Sequence, residues 1–273
     1  MKSISFMGID GSGKTTLMRG LQRAGGARAS FLFSPDFHEI PGFALGPESR
    51  ALTEFSRLAD AHREPRLKLA SLYLRMCLFG EAEAFLTSTQ RPDTLYIERH
   101  PLIDSLTYLP VYIGAVKKQG ARLEDSIAVM AQVTREHPAL ASQVRAAVAR
   151  RDQRLGLEPG SIEQVAEYCM AFAPLGPADF VRTLSRDFQT TLPDLVLYLD
   201  LPPEQAFERI AQRGKALEAH ESLENLTRLD RLARSKFPEF EALGVRCQTL
   251  PVSGLGEDAL VAAVNERLEA VLR

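Results

Sequence analysis

Residues 5–18 read SFMGIDGSGKTTLM: a short apolar run, three glycines within six residues, then a lysine and two threonines. Gly8-Ile9-Asp10-Gly11-Ser12-Gly13-Lys14-Thr15 satisfies G-x-x-x-x-G-K-[ST] at every fixed position. A buried strand that merely passes into a helix has no need of this spacing. The glycines let main-chain N–H groups converge on an anion without side-chain obstruction. A helix opening at Lys14 turns its positive end toward the same anion. Lys14 has the reach for β- and γ-phosphates, and the Thr15 hydroxyl can hold a magnesium ion. The stretch predicts a phosphate-binding loop made of Gly8, Asp10, Gly11, Ser12, Gly13, Lys14, Thr15 and Thr16.

That loop sits in a chain of alternating strands and helices. Apolar runs at 3–7, 30–33, 94–97, 195–199 and 246–252 read as buried strands. Helical patterns lie between and after them, at 14–24, 48–61, 66–87, 102–117, 123–151, 161–172, 178–190, 203–213, 221–243 and 257–272. Alternation of this kind implies parallel pairing and an α/β fold. Ser161 and Gln164 have capping-box spacing, and PPEQAFERI puts its prolines in a first helical turn. About 95 residues separate the third run from the fourth, far more than one crossover needs. Residues 121–190 therefore read as a helical insertion on one domain that spans 1–273. Arg145, Arg150, Arg151 and Arg154 cluster there and read as a solvated helix face rather than a docking surface.

Composition narrows the partners. The 273 residues are 45% hydrophobic and 25% charged, which is ordinary for a soluble protein with one sizeable core. A net charge of −2 gives no general pull toward nucleic acid or an anionic membrane, so neither is expected as a partner. The three cysteines are far apart and form no C-x-x-C pair, which suggests neither a disulfide framework nor a zinc site and fits a reducing compartment. The N-terminus enters a strand without the long apolar region of a secretory leader, and the stretch 101–116 is too broken to span a bilayer. A cytoplasmic protein is expected.

A phosphate loop needs a carboxylate near its metal, usually at the end of a neighbouring strand. TLYIERHP supplies Glu98 in that place, for the metal through water or for the acceptor, and Arg99 beside it to neutralise phosphate charge.

With these residues in view, the chain resembles the thymidylate kinase and deoxynucleoside kinase superfamily of P-loop nucleotide kinases. GIDGSGKTT is similar to the thymidylate kinase phosphate loop, PDLVLYLDLPPEQAFERIAQRG to that family's fourth strand and lid start, and LPVSGLGEDALVAAV to its last strand and adenine-side loop. IERHP departs from the thymidylate kinase Asp-Arg and is similar to deoxynucleoside kinases, its His-Pro to viral thymidine kinases. The likeness covers roughly the first 110 and last 80 residues and leaves the insertion without a counterpart. It implies a P-loop three-layer fold with a five-stranded parallel sheet in order 2-3-1-4-5, and a lid over about 209–228. It implies ATP and magnesium as cofactors. It places Arg75 near the arginine that reads the base, Asp10 against the acceptor sugar, and Arg209, Arg213 and Lys215 on the transferring phosphate.

The acceptor divides the superfamily. A monophosphate is largely dianionic near neutral pH and needs cations; a nucleoside offers a 5′-hydroxyl and gains from a carboxylate that takes its proton. Where thymidylate kinases carry Arg-Glu-Pro-Gly-Gly, this chain reads SPDFHEIPG, without an arginine. Asp36 or Glu39 is then the base in a nucleoside kinase, or each caps a local N–H. The expected activity is ATP- and magnesium-dependent phosphoryl transfer to a (deoxy)nucleoside monophosphate, with a deoxynucleoside as the alternative acceptor. Lys14, Glu98, Arg99 and Arg213 are its expected catalytic residues, Asp36, Arg75 and Arg99 bind substrate, and Thr15 and Glu98 serve the metal. The N-K-x-D and D-x-x-G motifs of a GTPase switch are missing. An ATPase without a small-molecule acceptor is the reading from another class. The insertion either walls the acceptor site or forms the interface of a homodimer.

Overall fold

The computed structural model describes residues 1–25, 28–212 and 222–272. In chain order the elements are β1 Lys2–Met7, α1 Lys14–Ala24, β2 Ala29–Phe33, a 3₁₀ turn Phe37–Glu39, α2 Gly46–Ala61, α3 Pro65–Met76, α4 Phe79–Gln90 and β3 Thr94–Glu98. Then follow α5 Pro101–Lys118, α6 Leu123–Glu136, α7 Pro138–Leu155, α8 Ile162–Met170 and α9 Pro177–Phe188. The chain continues with β4 Leu195–Asp200, α10 Pro203–Ala211, α11 Leu223–Ser235, α12 Phe237–Ala242, β5 Arg246–Pro251 and α13 Glu257–Leu272. The chain divides into two compact units. One comprises Met1–Phe33, Leu86–His100 and Leu192–Arg273; the other comprises Ser34–Phe85 and Pro101–Thr191.

The first unit holds the sheet, wholly parallel and ordered β2-β3-β1-β4-β5, as the resemblance implies. Ile4, Phe6, Leu195, Leu197 and Leu199 are fully buried and pack with Leu17, Met18, Leu260 and Val264. That is why β1 and β4 read as apolar runs: both faces of these strands are covered. β3 lies between β2 and β1, and its last residue, Glu98, stands opposite Phe33 on one side and Phe6 on the other.

The second unit is helical. At its centre Asp187, with no exposure, accepts hydrogen bonds from the Tyr73 hydroxyl at 2.7 Å, the Tyr168 hydroxyl at 2.9 Å and Arg186 Nη2 at 2.9 Å. Arg151 stacks over the Tyr168 ring, 4.2 Å from its centre, and donates to Asp152. Burial pushes the Tyr168 phenol up to about 12 and the Tyr73 phenol well above its usual range.

The arginine-rich stretch of α7 is therefore no solvated face. Arg150 grips Glu48 with two hydrogen bonds, at 3.0 and 2.7 Å, and also donates to Glu81. Arg154 donates to the carbonyls of Cys77 at 2.9 Å and Asp187 at 2.5 Å. Charge-assisted bonds of this kind tie α7 to α2, to α4 and to the turn between α3 and α4. Of the cluster, Arg145 alone stays exposed, its Nη1 reaching the Thr134 hydroxyl at 3.5 Å.

Three expected helices are each two. The 66–87 pattern breaks at Cys77, the 123–151 pattern at His137, and the 221–243 pattern at Lys236. Pro138 and Pro238 open the second helix of their pairs, where a ring without an N–H costs little. Gly80, in the first turn of α4, leaves room for the end of α9: a Cβ there would stand 2.5 Å from the Gln189 carbonyl oxygen. The capping box at Ser161 is present, Gln164 Oε1 accepting from the Ser161 amide at 2.7 Å.

Candidate active site

The loop 8–13 emerges from the C-terminal end of β1 and delivers the chain into α1. Gly11 and Gly13 adopt left-handed φ values of 84° and 97°, which side-chain-bearing residues avoid. A Cβ on Gly11 would lie 2.6 Å from the Ala206 carbonyl oxygen, so the loop is pressed onto α10 there. At Gly13 a Cβ would make ordinary van der Waals contact, with Leu260 Cδ2 at 3.5 Å and Arg209 Nη1 at 3.9 Å. Lys14 is buried and donates from Nζ to the carbonyls of Gly8 at 2.7 Å and Ile9 at 2.9 Å. The Ser12 side chain is fully buried, while Thr15 and Thr16 are exposed on the first turn of α1.

Thr15 meets the carboxylate expected of β3: its hydroxyl donates to Glu98 Oε1 at 2.7 Å. Glu98 is buried, and Arg99 follows it with a left-handed φ of 58°. That conformation turns the guanidinium back to the loop, where Nη2 donates to Asp10 Oδ1 at 2.5 Å. The same Oδ1 is 3.9 Å from Lys14 Nζ. Lys14, Thr15, Asp10, Glu98 and Arg99 thus form one cluster at the C-terminal ends of β1 and β3. In open α/β sheets this edge is where ligands bind.

Arg209, in the last turn of α10, joins this cluster through its approach to Gly13. The resemblance names Arg209 a lid cation for the transferring phosphate, and the packing of α10 against Gly11 sets it beside the loop. Arg213 and Lys215, the other basic residues of the expected lid, lie outside the described residues.

In the second unit, Arg75 Nη2 donates to Asp36 Oδ1 at 2.9 Å. The Arg75 side chain is 12% exposed and that of Asp36 46%. Glu39 is exposed. The two residues named for the acceptor, one after β2 and one on α3, are therefore neighbours.

A further polar network in the first unit has no counterpart in the sequence reading. Tyr198 donates to Asp230 Oδ1 at 2.6 Å, and Arg234 bridges Asp230 at 2.9 Å and Asp200 at 2.5 Å. Its guanidinium also lies 4.9 Å from the Tyr198 ring centre. These bonds fasten α11 to the end of β4. The signal available in the sequence is Tyr198 itself, a polar tip inside an apolar strand that needs a partner when buried.

The residues fit a magnesium–polyphosphate. The buried Lys14 and the Thr15–Glu98 pair supply positive charge and oxygen ligands. Among the described residues no cluster of three His, Cys, Asp or Glu side chains could cage a metal ion. Magnesium at such loops is held by a hydroxyl, a carboxylate and the phosphates themselves. Among the described residues no helix is long and apolar enough to cross a membrane.

No family model matches the chain, and no curated protein matches its sequence. Among solved structures it is similar to a deoxyadenosine kinase from M. mycoides, determined with the products dCMP and a flexible dCDP bound. The TM-score is 0.51 at 12% identity, over 98% of this chain and all of that one. At that identity the likeness is one of fold: an α/β protein with the 2-3-1-4-5 parallel sheet of a P-loop kinase.

Proposed function

We propose that this protein is an ATP- and magnesium-dependent kinase whose acceptor is a deoxynucleoside, phosphorylated at its 5′-hydroxyl. The observation that carries the kinase reading is the Thr15–Glu98 hydrogen bond at 2.7 Å beside the buried Lys14, a metal-binding pair next to a phosphate-binding cation. In this reading the loop amides and Lys14 bind the donor phosphates, exchanging the Gly8 and Ile9 carbonyls for phosphate oxygens. Thr15 and Glu98 hold the metal, which when bound draws charge off the transferring phosphate. Arg99, Arg209 and Arg213 meet the charge that develops during transfer. Asp36 takes the acceptor proton, and Arg75 orients Asp36.

Three features favour the deoxynucleoside. The Asp36–Gly42 stretch lacks the arginine of monophosphate kinases, IERHP is similar to deoxynucleoside kinases, and a solved structure of similar fold is a deoxyadenosine kinase. A second reading, transfer to a nucleoside monophosphate such as thymidylate, is favoured by the Arg75 guanidinium, a cation suited to an acceptor phosphate. The deciding experiment incubates the protein with ATP and magnesium against a panel of nucleosides and monophosphates and follows ADP. ADP that appears only with deoxynucleosides supports the proposal. ADP with monophosphates alone favours the second reading, and ADP without any acceptor would make the protein an ATPase.

A further inference from the structure

Asp10 stands at a position of the loop that the G-x-x-x-x-G-K-[ST] pattern leaves open, and its carboxylate faces both cations of the cluster. Arg99 Nη2 donates to Oδ1 at 2.5 Å, and Lys14 Nζ lies 3.9 Å from the same atom. The Asp10 side chain is 19% exposed and that of Arg99 33%, so solvent screens the group in part only. A carboxylate placed here does two things. It holds the guanidinium of a residue whose left-handed backbone is otherwise disfavoured. It also offers Lys14 and Arg99 a negative charge that any incoming phosphate must share.

We infer that Asp10 is a positioning residue and an internal counter-anion: it aims Arg99 and weakens the loop's hold on polyphosphate. The inference rests on the kinase reading, since aiming Arg99 matters only where phosphate is transferred. Its second half concerns anion affinity alone. A loop with a buried lysine, a helix N-terminus and a nearby guanidinium attracts polyphosphate strongly. Tempering that attraction favours release of the product diphosphate, a step that limits turnover in many kinase-like enzymes. This role differs from a contact between Asp10 and an acceptor sugar, because it acts on the donor side and requires no acceptor.

The test is calorimetric titration of inorganic tripolyphosphate with magnesium into wild type, Asp10→Asn and Asp10→Glu, with steady-state kinetics on the same proteins. Asp10→Asn, nearly isosteric, is expected to bind tripolyphosphate about fivefold more tightly at low salt, the gain shrinking as salt is raised. Its kcat is expected to fall about tenfold with acceptor KM little changed, because Arg99 loses its aim. Asp10→Glu is expected to restore most of both. Should Asp10→Asn not fold, Asp10→Ser carries the same expectations. Tripolyphosphate affinity equal to wild type would overturn the counter-anion, and a defect confined to acceptor KM would assign Asp10 to the acceptor instead. Wild-type protein that binds tripolyphosphate but phosphorylates nothing would remove the kinase reading, and the affinity shift would still decide the counter-anion. Wild-type protein that binds no tripolyphosphate would sink both.

Discussion

The Thr15 hydroxyl and the Glu98 carboxylate share a hydrogen bond of 2.7 Å, which joins the first turn of α1 to the last residue of β3 across 83 positions of sequence. If the pair serves a metal, removing the charge of Glu98 weakens metal binding without disturbing the strand. Glu98→Gln is therefore expected to lower kcat about a hundredfold and to raise the magnesium concentration needed for half-maximal rate. A magnesium titration of turnover checks this; an unchanged magnesium dependence assigns Glu98 elsewhere.

Lys14→Ala removes the buried ammonium that faces the loop carbonyls. Transfer is expected to be abolished while circular dichroism and the melting temperature stay near wild type, because the ammonium serves the loop rather than the core. Unchanged turnover in this variant rejects the role given to Lys14.

Two glycines separate loop strain from helix propensity. Gly11→Ala forces a Cβ to within 2.6 Å of the Ala206 carbonyl at a left-handed φ of 84°, and is expected to cost about 1–3 kcal/mol. Gly114 lies inside α5 with nothing within 4 Å of a Cβ, so Gly114→Ala is expected to gain about 0.5–1 kcal/mol. Urea unfolding of both variants gives the two signs in one experiment.

Arg150 is 28% exposed and satisfies both Glu48 and Glu81. Arg150→Ala leaves two partly buried carboxylates facing each other, and is expected to destabilise the protein by about 2–3 kcal/mol. Arg145→Ala, on the exposed side of the same helix, is expected to change stability by less than about 0.5 kcal/mol. Equal effects from the two would mean that the inward bonds of α7 contribute nothing.

Alkaline pH should loosen the helical unit. Burial pushes the Cys77 thiol from 9.0 to about 11, and the Tyr168 phenol from 10.0 to about 12. Below pH 9 both states keep these protons and stability is unaffected. From pH 9 upward the unfolded chain releases them while the folded one retains them, so stability falls with rising pH until the folded values are passed. Melting curves between pH 8 and pH 10.5 should show this decline, with a shallower slope in Cys77→Ala.

The strands and α1 were legible because each rests on a local signal: an apolar run buried on both faces, or a glycine pattern bound to one backbone path; the sheet order came from the resemblance to P-loop nucleotide kinases. The pairs Thr15–Glu98 and Arg99–Asp10 were legible as ingredients, since strand order alone places the ends of β1 and β3 side by side. What local patterning does not contain is the inward turn of Arg150, Arg151 and Arg154. Their partners, Glu48, Glu81, Asp152, Tyr73 and the Cys77 carbonyl, are mostly remote in sequence, and a charged run looks the same whether it meets water or carboxylates. The helix breaks at His137 and Lys236 were marked by Pro138 and Pro238, yet apolar periodicity runs straight through them. The break at Cys77 carries no such proline.

β3 is hydrogen-bonded along both edges as far as Glu98, whereas α1 is held by side-chain packing and by the loop before it. Of the two partners in the proposed metal-binding pair, one is thus a fixed jaw and the other a sprung one. If the pair holds a metal, any adjustment to an ion of different radius would fall on the helix. Exchanging magnesium for a larger divalent ion would be felt as a displacement of Thr15 and Lys14 together, while the glutamate keeps its station.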